Sequence, residues 1–290
     1  MSDDLATPRR ILVTGGNRGI GLATAVGLTR AGHQVCITAR RESDARDALA
    51  QIGGTSASWV QLDLASLAAT RRCAEELIAR GDRFDVVLHN AGVLIPSKTR
   101  TRTEDGMEQT LQVNAIAPLQ LTLALRPILS SPARLVWTGS SLHQPDSRGG
   151  ASVDLRLDDV DLATGYHPHR AYKNSKLAQI WISRELERRF GPDGLHSDVV
   201  CPGFVPTTAA ARTRGLKRFA LRHILPRMPF ASSVDEAARR LTEACQAPLD
   251  EPGGRYFHAG QLEEPSADAR DPERAAKFYA LALSRIGARR

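Results

Sequence analysis

The chain predicts an α/β fold, a doubly wound parallel sheet of about seven strands with helices on both faces, and three observations carry that expectation. Apolar runs of strand length alternate with amphipathic helical stretches from the start to about residue 202. A glycine-rich turn, Thr14 to Gly21, sits between the first strand and the first helix. No internal repeat or long linker divides the 290 residues, and their 42% hydrophobic content is enough to bury one full core. A single domain over residues 1–290 is therefore expected.

The elements follow in order. Residues 10–14 read as a strand that ends at the glycines, and 19–31 as the helix beyond them. Residues 34–39 form a second strand and 57–62 a third, separated by a helix at 46–52. A helix at 67–80 leads to a strand at 85–89, and a long helical region at 104–129 contains Pro118, which predicts a kink because proline has no N–H to give. Residues 134–138 are the fifth strand, 170–190 a helix, and 196–201 the sixth strand. A helix at 234–245, a short strand at 255–258 and a final helix at 272–286 complete the chain. Strand alternating with helix implies parallel strands joined by right-handed crossovers. Two segments break the rhythm, 143–168 and 204–231, and in an open parallel sheet such excursions lie over the ligand crevice.

Composition excludes several classes of function. Cys36, Cys73, Cys201 and Cys245 have no metal-ligand spacing and read as reduced core thiols of a cytoplasmic protein. No window approaches the ~18 apolar residues of a membrane span. The net charge is +7, but Arg212, Arg214, Lys217, Arg218, Arg222 and Arg227 are concentrated in 211–230, a stretch without an acid. The excess is local, so no nucleic-acid partner is expected. Leu216, Phe219, Ala220 and Ile224 share helical spacing there, which suits a lid over a pocket; the sharper reading has Arg214 and Arg218 attract an acidic substrate or rest on a membrane surface. His143, His167 and His169 have no carboxylate or cysteine cluster beside them and read as solvated loop residues, with His143 able to line the pocket.

Three motifs carry chemistry. In Thr14 to Gly21 the glycines Gly15, Gly19 and Gly21 permit a tight turn and close approach of backbone to a pyrophosphate at a helix N-terminus. The second strand ends Ala39-Arg40-Arg41, with no acid to hold an unphosphorylated ribose. Arg40, Arg41 and Arg18 suit a 2′-phosphate, a charge-assisted contact worth ~1.5 to 3 kcal/mol. This favours NADP(H) over NAD(H), although Glu42 next door keeps NAD(H) open. Tyr172 and Lys176 stand one helical turn apart on one face. A unit charge at ~4 Å is worth up to ~4 kcal/mol, enough for a phenol to trade its proton near neutrality. Alone, the pair is better read as a half-buried aromatic beside a solvated lysine; the other motifs overturn that reading.

With these pieces the chain resembles the short-chain dehydrogenase/reductase family over nearly its whole length. The family's glycine motif matches Gly15, Gly19 and Gly21, its Asn-Ala-Gly motif Asn90, Ala91 and Gly92, its adenine-contacting acid Asp63, and its Pro-Gly motif Pro202 and Gly203. Its tetrad matches Asn114, Ser140, Tyr172 and Lys176. The resemblance further implies cofactor contacts at Asn17, Ile20, Leu64, Val205 and Thr207. The Ser140 to His143 run, the sequence Ala171 to Leu177 and Gly254 to Phe257 are similar to the retinol dehydrogenase, WW-domain oxidoreductase and protochlorophyllide-reductase-like branch. The chain departs from that branch at His89, Trp137 and Gly139.

What the resemblance implies is hydride transfer between NADPH and a carbonyl or alcohol of a partly apolar small molecule. Ser140 would donate to the carbonyl oxygen, with Ser141 as the alternative, Tyr172 would act as acid or base, and Lys176 would tune Tyr172. Asn114 would reach Lys176 through water in a proton relay. Reduction of an activated C=C bond and a non-catalytic NADP(H) sensor remain alternatives. Family members are often homo-oligomers.

Overall fold

The computed structural model describes residues 7–54, 56–145, 151–206 and 231–288. One eight-stranded sheet has the order β3-β2-β1-β4-β5-β6-β7-β8. The strands are β1 (Arg10–Val13), β2 (Gln34–Ala39), β3 (Ala57–Gln61), β4 (Phe84–His89), β5 (Leu129–Thr138), β6 (Leu195–Cys201), β7 (Tyr256–His258) and β8 (Gln261–Leu262). Strands β1 to β7 are parallel, and β8 folds back antiparallel on β7, one strand more than the sequence suggests. A two-residue strand has too little alternation to be seen as a pattern.

Among the described residues the longer helices are α1 (Gly19–Arg30), α2 (Glu42–Ile52), α3 (Leu67–Ala79), α4 (Ala117–Leu125), α5 (Pro168–Phe190), α6 (Val234–Gln246) and α7 (Pro272–Arg285). Alternate strand residues feed opposite cores. Ile11, Val13, Val86 and Leu88 pack with Ala25 and Leu28 of α1, Ile52 of α2 and Leu241 of α6. Leu12 and Val87 point the other way, toward Leu77 of α3, Leu119 of α4, Trp181 of α5 and Phe278 of α7. Both faces are thus covered, as a parallel sheet requires.

The long helical region differs from its expected form. It begins at Gln109, where the buried Glu108 carboxylate accepts from Thr110 N and Leu111 N at 3.0 and 2.7 Å. Residues Gln112–Ile116 then form a π-helical turn, with Ala117 N bonded to Gln112 O, before α4 starts at Ala117. Pro118 is the cause of the irregularity expected of it, but the helix widens instead of simply bending. A regular α-helix would bond the residue 118 amide to the Asn114 carbonyl, and proline has no such hydrogen. The region also ends early, because Leu129 already pairs with Phe84 in β5.

Candidate functional site

The strand order reverses between β1 and β4, and the crevice opens at their carboxyl ends. Thr14 and Asn90 lock this point. Thr14 Oγ1 accepts from Asn90 N and Ala91 N at 3.0 and 3.1 Å, while Asn90 Nδ2 donates to Thr14 O at 3.0 Å and Gly15 O at 3.3 Å. The backbone here leaves no room for side chains. Gly15 has φ +64°, and a Cβ on Gly21 would lie 2.4 Å from both Asn90 Nδ2 and Gly15 O.

A cleft of about 2470 Å³ runs from this crevice across the ends of β2, β4, β5 and β6. Along it lie Gly15, Asn17, Arg18, Gly19, Ile20 and Gly21; then Arg40, Arg41, Asp63 and Leu64; then Asn90, Ala91 and Gly92. Ser140, Tyr172, Lys176, Pro202, Gly203 and Val205 complete its wall. Of the residues singled out in the sequence, Asn114 stands behind this wall, fully buried. Thr207 and the basic stretch 211–230 lie outside the described residues. The described residues on either side, Phe204 and Ala231, form a parallel bridge, and Ser232 N donates to Phe204 O at 2.8 Å.

At the β2 end the arginines differ. Arg41 makes a bidentate pair with Asp44 at 2.9 and 2.8 Å and so braces the first turn of α2. Arg18 and Arg40 are exposed at the cleft and make no ion pair among the described residues. Asp63 Oδ1 accepts from Ala65 N at 3.0 Å, which fixes the turn after β3.

At the other end α5 presents Tyr172 and Lys176 on one face, with the ammonium 5.4 Å from the centre of the phenol ring. Lys176 is buried and donates to Thr138 O at 2.8 Å and Gln179 Oε1 at 3.0 Å. The other end of the Gln179 amide donates to Asn114 O at 2.8 Å, the carbonyl that Pro118 leaves open. Asn114 itself clamps the loop after β4: Oδ1 accepts from Val93 N at 2.7 Å, and Nδ2 donates to Val93 O and Ser175 Oγ, both at 2.9 Å. Gln179, a buried side chain, thus links Lys176 to Asn114 O by direct hydrogen bonds. The signal was in the sequence: Gln179 follows Lys176 at i+3 on the same helical face.

Ser140 Oγ accepts from Leu142 N at 3.2 Å, which leaves its proton free to be donated. His143 is not a solvated loop residue and does not line the cleft. It is 1% exposed and its Nε2 accepts from Ser266 N at 3.2 Å, so Nδ1 carries the proton and donates to Ser140 O at 2.8 Å. Burial holds it neutral, with its pKa below the ordinary value. Its work is to hold the Ser140 turn, a role that only the chain around Ser266 discloses. His167 caps α5, accepting from His169 N at 3.2 Å. No group of side chains suited to a metal ion occurs among the described residues, and no helix among them is long and apolar enough to cross a membrane.

Comparison with known proteins agrees with this geometry. Residues 9–150 match the family model of the short chain dehydrogenases. Retinol dehydrogenase 14 of Mus musculus is 30% identical over 96% of this chain and 86% of that protein. Polyprenol dehydrogenase of Mus musculus is 34% identical over 97% of this chain and 85% of its own length. The WW domain-containing oxidoreductase of Gallus gallus is 33% identical over 93% of this chain and 66% of its own. Among solved structures, the Pseudomonas aeruginosa RhlG/NADP active-site complex superposes with a TM-score of 0.69 at 25% identity, covering 89% of this chain and 97% of that one. The strand-end crevice, the glycine turn and these relatives lead to one conclusion: the chain belongs to the short-chain dehydrogenase/reductase family of oxidoreductases, in the branch that holds the retinol dehydrogenases and the WW domain-containing oxidoreductases.

Proposed function

We propose that this protein is an NADPH-dependent oxidoreductase that interconverts a carbonyl and an alcohol on a partly apolar small molecule. One observation carries the reading: Tyr172 and the buried, doubly anchored Lys176 share with Ser140 the wall of one cleft that also holds the glycine turn. The residues present fit the cofactor. The glycine turn admits backbone to a pyrophosphate where a Cβ on Gly16 would lie 2.5 Å from Ile37 and one on Gly21 would strike Gly15 O. Arg18 and Arg40 stand ready for a 2′-phosphate, whereas Arg41 is held by Asp44. NADPH when bound supplies hydride. The chain's own residues then handle the oxygen: Ser140 donates a hydrogen bond to it, and Tyr172 gives it a proton in reduction or takes one in oxidation. Lys176 holds positive charge beside the phenol, and the Gln179 amide keeps that ammonium in place.

Two relatives act, by their names, on retinol and polyprenol, both long isoprenoid alcohols. This supports a lipophilic alcohol or its aldehyde as the substrate class. The test is turnover of a panel of apolar aldehydes and ketones with deuterium-labelled NADPH. Label on the former carbonyl carbon supports the proposal. Label on an alkene carbon would replace it with C=C reduction, and cofactor binding without any turnover would replace it with a sensor. Arg40→Ala is expected to cut the preference for NADPH over NADH by about ten- to a hundredfold.

A further inference from the structure

Two neighbouring arginines on α6 have different fates. Arg239 is exposed and pairs with Glu243 one turn further along the helix. Arg240 is half-buried, lines the cleft, and makes no ion pair among the described residues. The acid one turn before it, Glu236, is committed elsewhere: its carboxylate accepts from Ser233 N at 2.7 Å in the capping box that starts α6. Taking a guanidinium partly out of water without a counter-charge costs free energy unless hydrogen bonds offset it. Both bonds that Arg240 makes go to one place. Its Nη1 donates to Pro202 O and to Ser232 Oγ, at 2.7 Å each, while Nε has no partner among the described residues.

The two acceptors stand on separate segments. Pro202 and Gly203 follow the end of β6, and Ser232 precedes α6. Ser232 N donates to Phe204 O at 2.8 Å, so backbone and side chain together tie the segments across Arg240. Gly203 lies against the same knot with φ +94°, and a Cβ on it would come within 2.3 Å of Ser232 Oγ and 3.0 Å of Arg240 Nη1. The turn therefore closes on these two groups with no room to spare. The helix behind them is fixed, since Leu241, the next residue, packs in the core with Ala25 and Leu28 of α1. Through Arg240 the position of a core helix is handed to a turn at the cleft surface.

We infer that Arg240 is a positioning residue for the nicotinamide half of the bound cofactor, acting through the Pro202–Gly203 turn. This rests on the proposed function, in which the end of the cleft shared by Ser140, Tyr172, Pro202 and Gly203 takes the nicotinamide, and the end with Arg18 and Arg40 takes the adenine half. Two bonds from one fixed nitrogen set both the distance and the direction of the turn, and the charge on the donor strengthens each of them. Without them the wall beside Ser140 and Tyr172 loses its tie to α6, while the adenine end keeps all of its contacts.

The test compares two probes on the natural protein and on variants whose folding is checked by circular dichroism. NADPH reports on the whole cleft. Adenosine 2′,5′-bisphosphate, the adenine half without nicotinamide, reports on the Arg18 and Arg40 end alone. Arg240→Met keeps the stem and removes the donors; it is expected to raise the Kd for NADPH about tenfold and leave that for the bisphosphate within about twofold. Arg240→Lys, which keeps a charged donor, should bring NADPH back to within about threefold of the natural value, and Ser232→Ala should weaken it about two- to threefold. If Arg240→Met does not fold, the Lys and Ala variants decide by the same split between probes. Equal losses for both probes, as general structural damage would give, or unchanged NADPH binding in the folded variants would overturn this inference alone. A natural protein that binds neither probe would overturn the proposed function, and this inference with it.

Discussion

At the scale of single residues, the site is built from groups whose freedom has been removed. Gln179 is the clearest case, since it bonds Lys176 with one end of its amide and Asn114 O with the other while 1% exposed. Gln179→Leu keeps the bulk but abandons both partners, so kcat should fall about ten- to a hundredfold and its pH profile should move, with cofactor affinity nearly unchanged. Steady-state kinetics across pH checks this; an unaltered profile would assign Gln179 to packing alone. Gly21→Ala should abolish cofactor binding in a fluorescence titration, because its Cβ would meet Gly15 O and Asn90 Nδ2 at 2.4 Å. Gly139, a departure from the related branch, has an equally local cause: a Cβ there would lie 2.5 Å from Val199 Cγ1. Gly139→Ser should therefore cost about 1–3 kcal/mol in denaturant unfolding as the core shifts to admit it.

At the scale of elements, the π turn before α4 is what makes Asn114 useful. Its backbone carbonyl is left open by Pro118, and its side chain ties the loop after β4 to α5 through Val93 and Ser175. Asn114→Ala orphans the Val93 amide and carbonyl and should destabilise the protein by roughly 2–4 kcal/mol, as well as lowering turnover. A chemical-denaturation curve separates the two effects, because a purely catalytic role would leave the midpoint where it was. The glycine turn, the Tyr172–Lys176 spacing and the arginines after β2 were legible in the sequence because each is a local pattern on one element. The capping of α5 by His167 and the π geometry were not. Both depend on how neighbouring backbone closes, and the sequence around Pro118 announces an interruption without saying which kind.

At the scale of the whole molecule, His89 couples stability to pH. It packs on Trp137 with ring centres 4.3 Å apart, deep between the layers. Thr122 Oγ1 donates to Pro118 O at 3.0 Å, so it accepts from His89 Nε2 at 2.8 Å, and Nδ1 is left bare with no partner among the described residues. Burial pulls its pKa from 6.5 down to about 3. The unfolded chain takes up a proton below about pH 6.5 while the folded protein refuses it until about pH 3, so the stability present above the first value is lost as pH falls toward the second. The loss should approach about 1.4 kcal/mol per pH unit, or roughly 2 kcal/mol by about pH 5. Urea unfolding as a function of pH should show this slope in the natural protein and a shallower one in His89→Asn.

The amino-acid sequence by itself determined the parallel sheet, the crevice and the identity of the residues around it, because period, glycine placement and helical spacing act over a few neighbouring positions. Only the tertiary structure decided that Gln179 stands between Asn114 and Lys176 and that His143 supports Ser140 from behind. Read along the chain, His143 is a loop histidine. The difference is physical: a buried donor, acceptor or charge takes its character from the groups that satisfy it, and here those groups arrive from strands and helices tens to more than a hundred residues away.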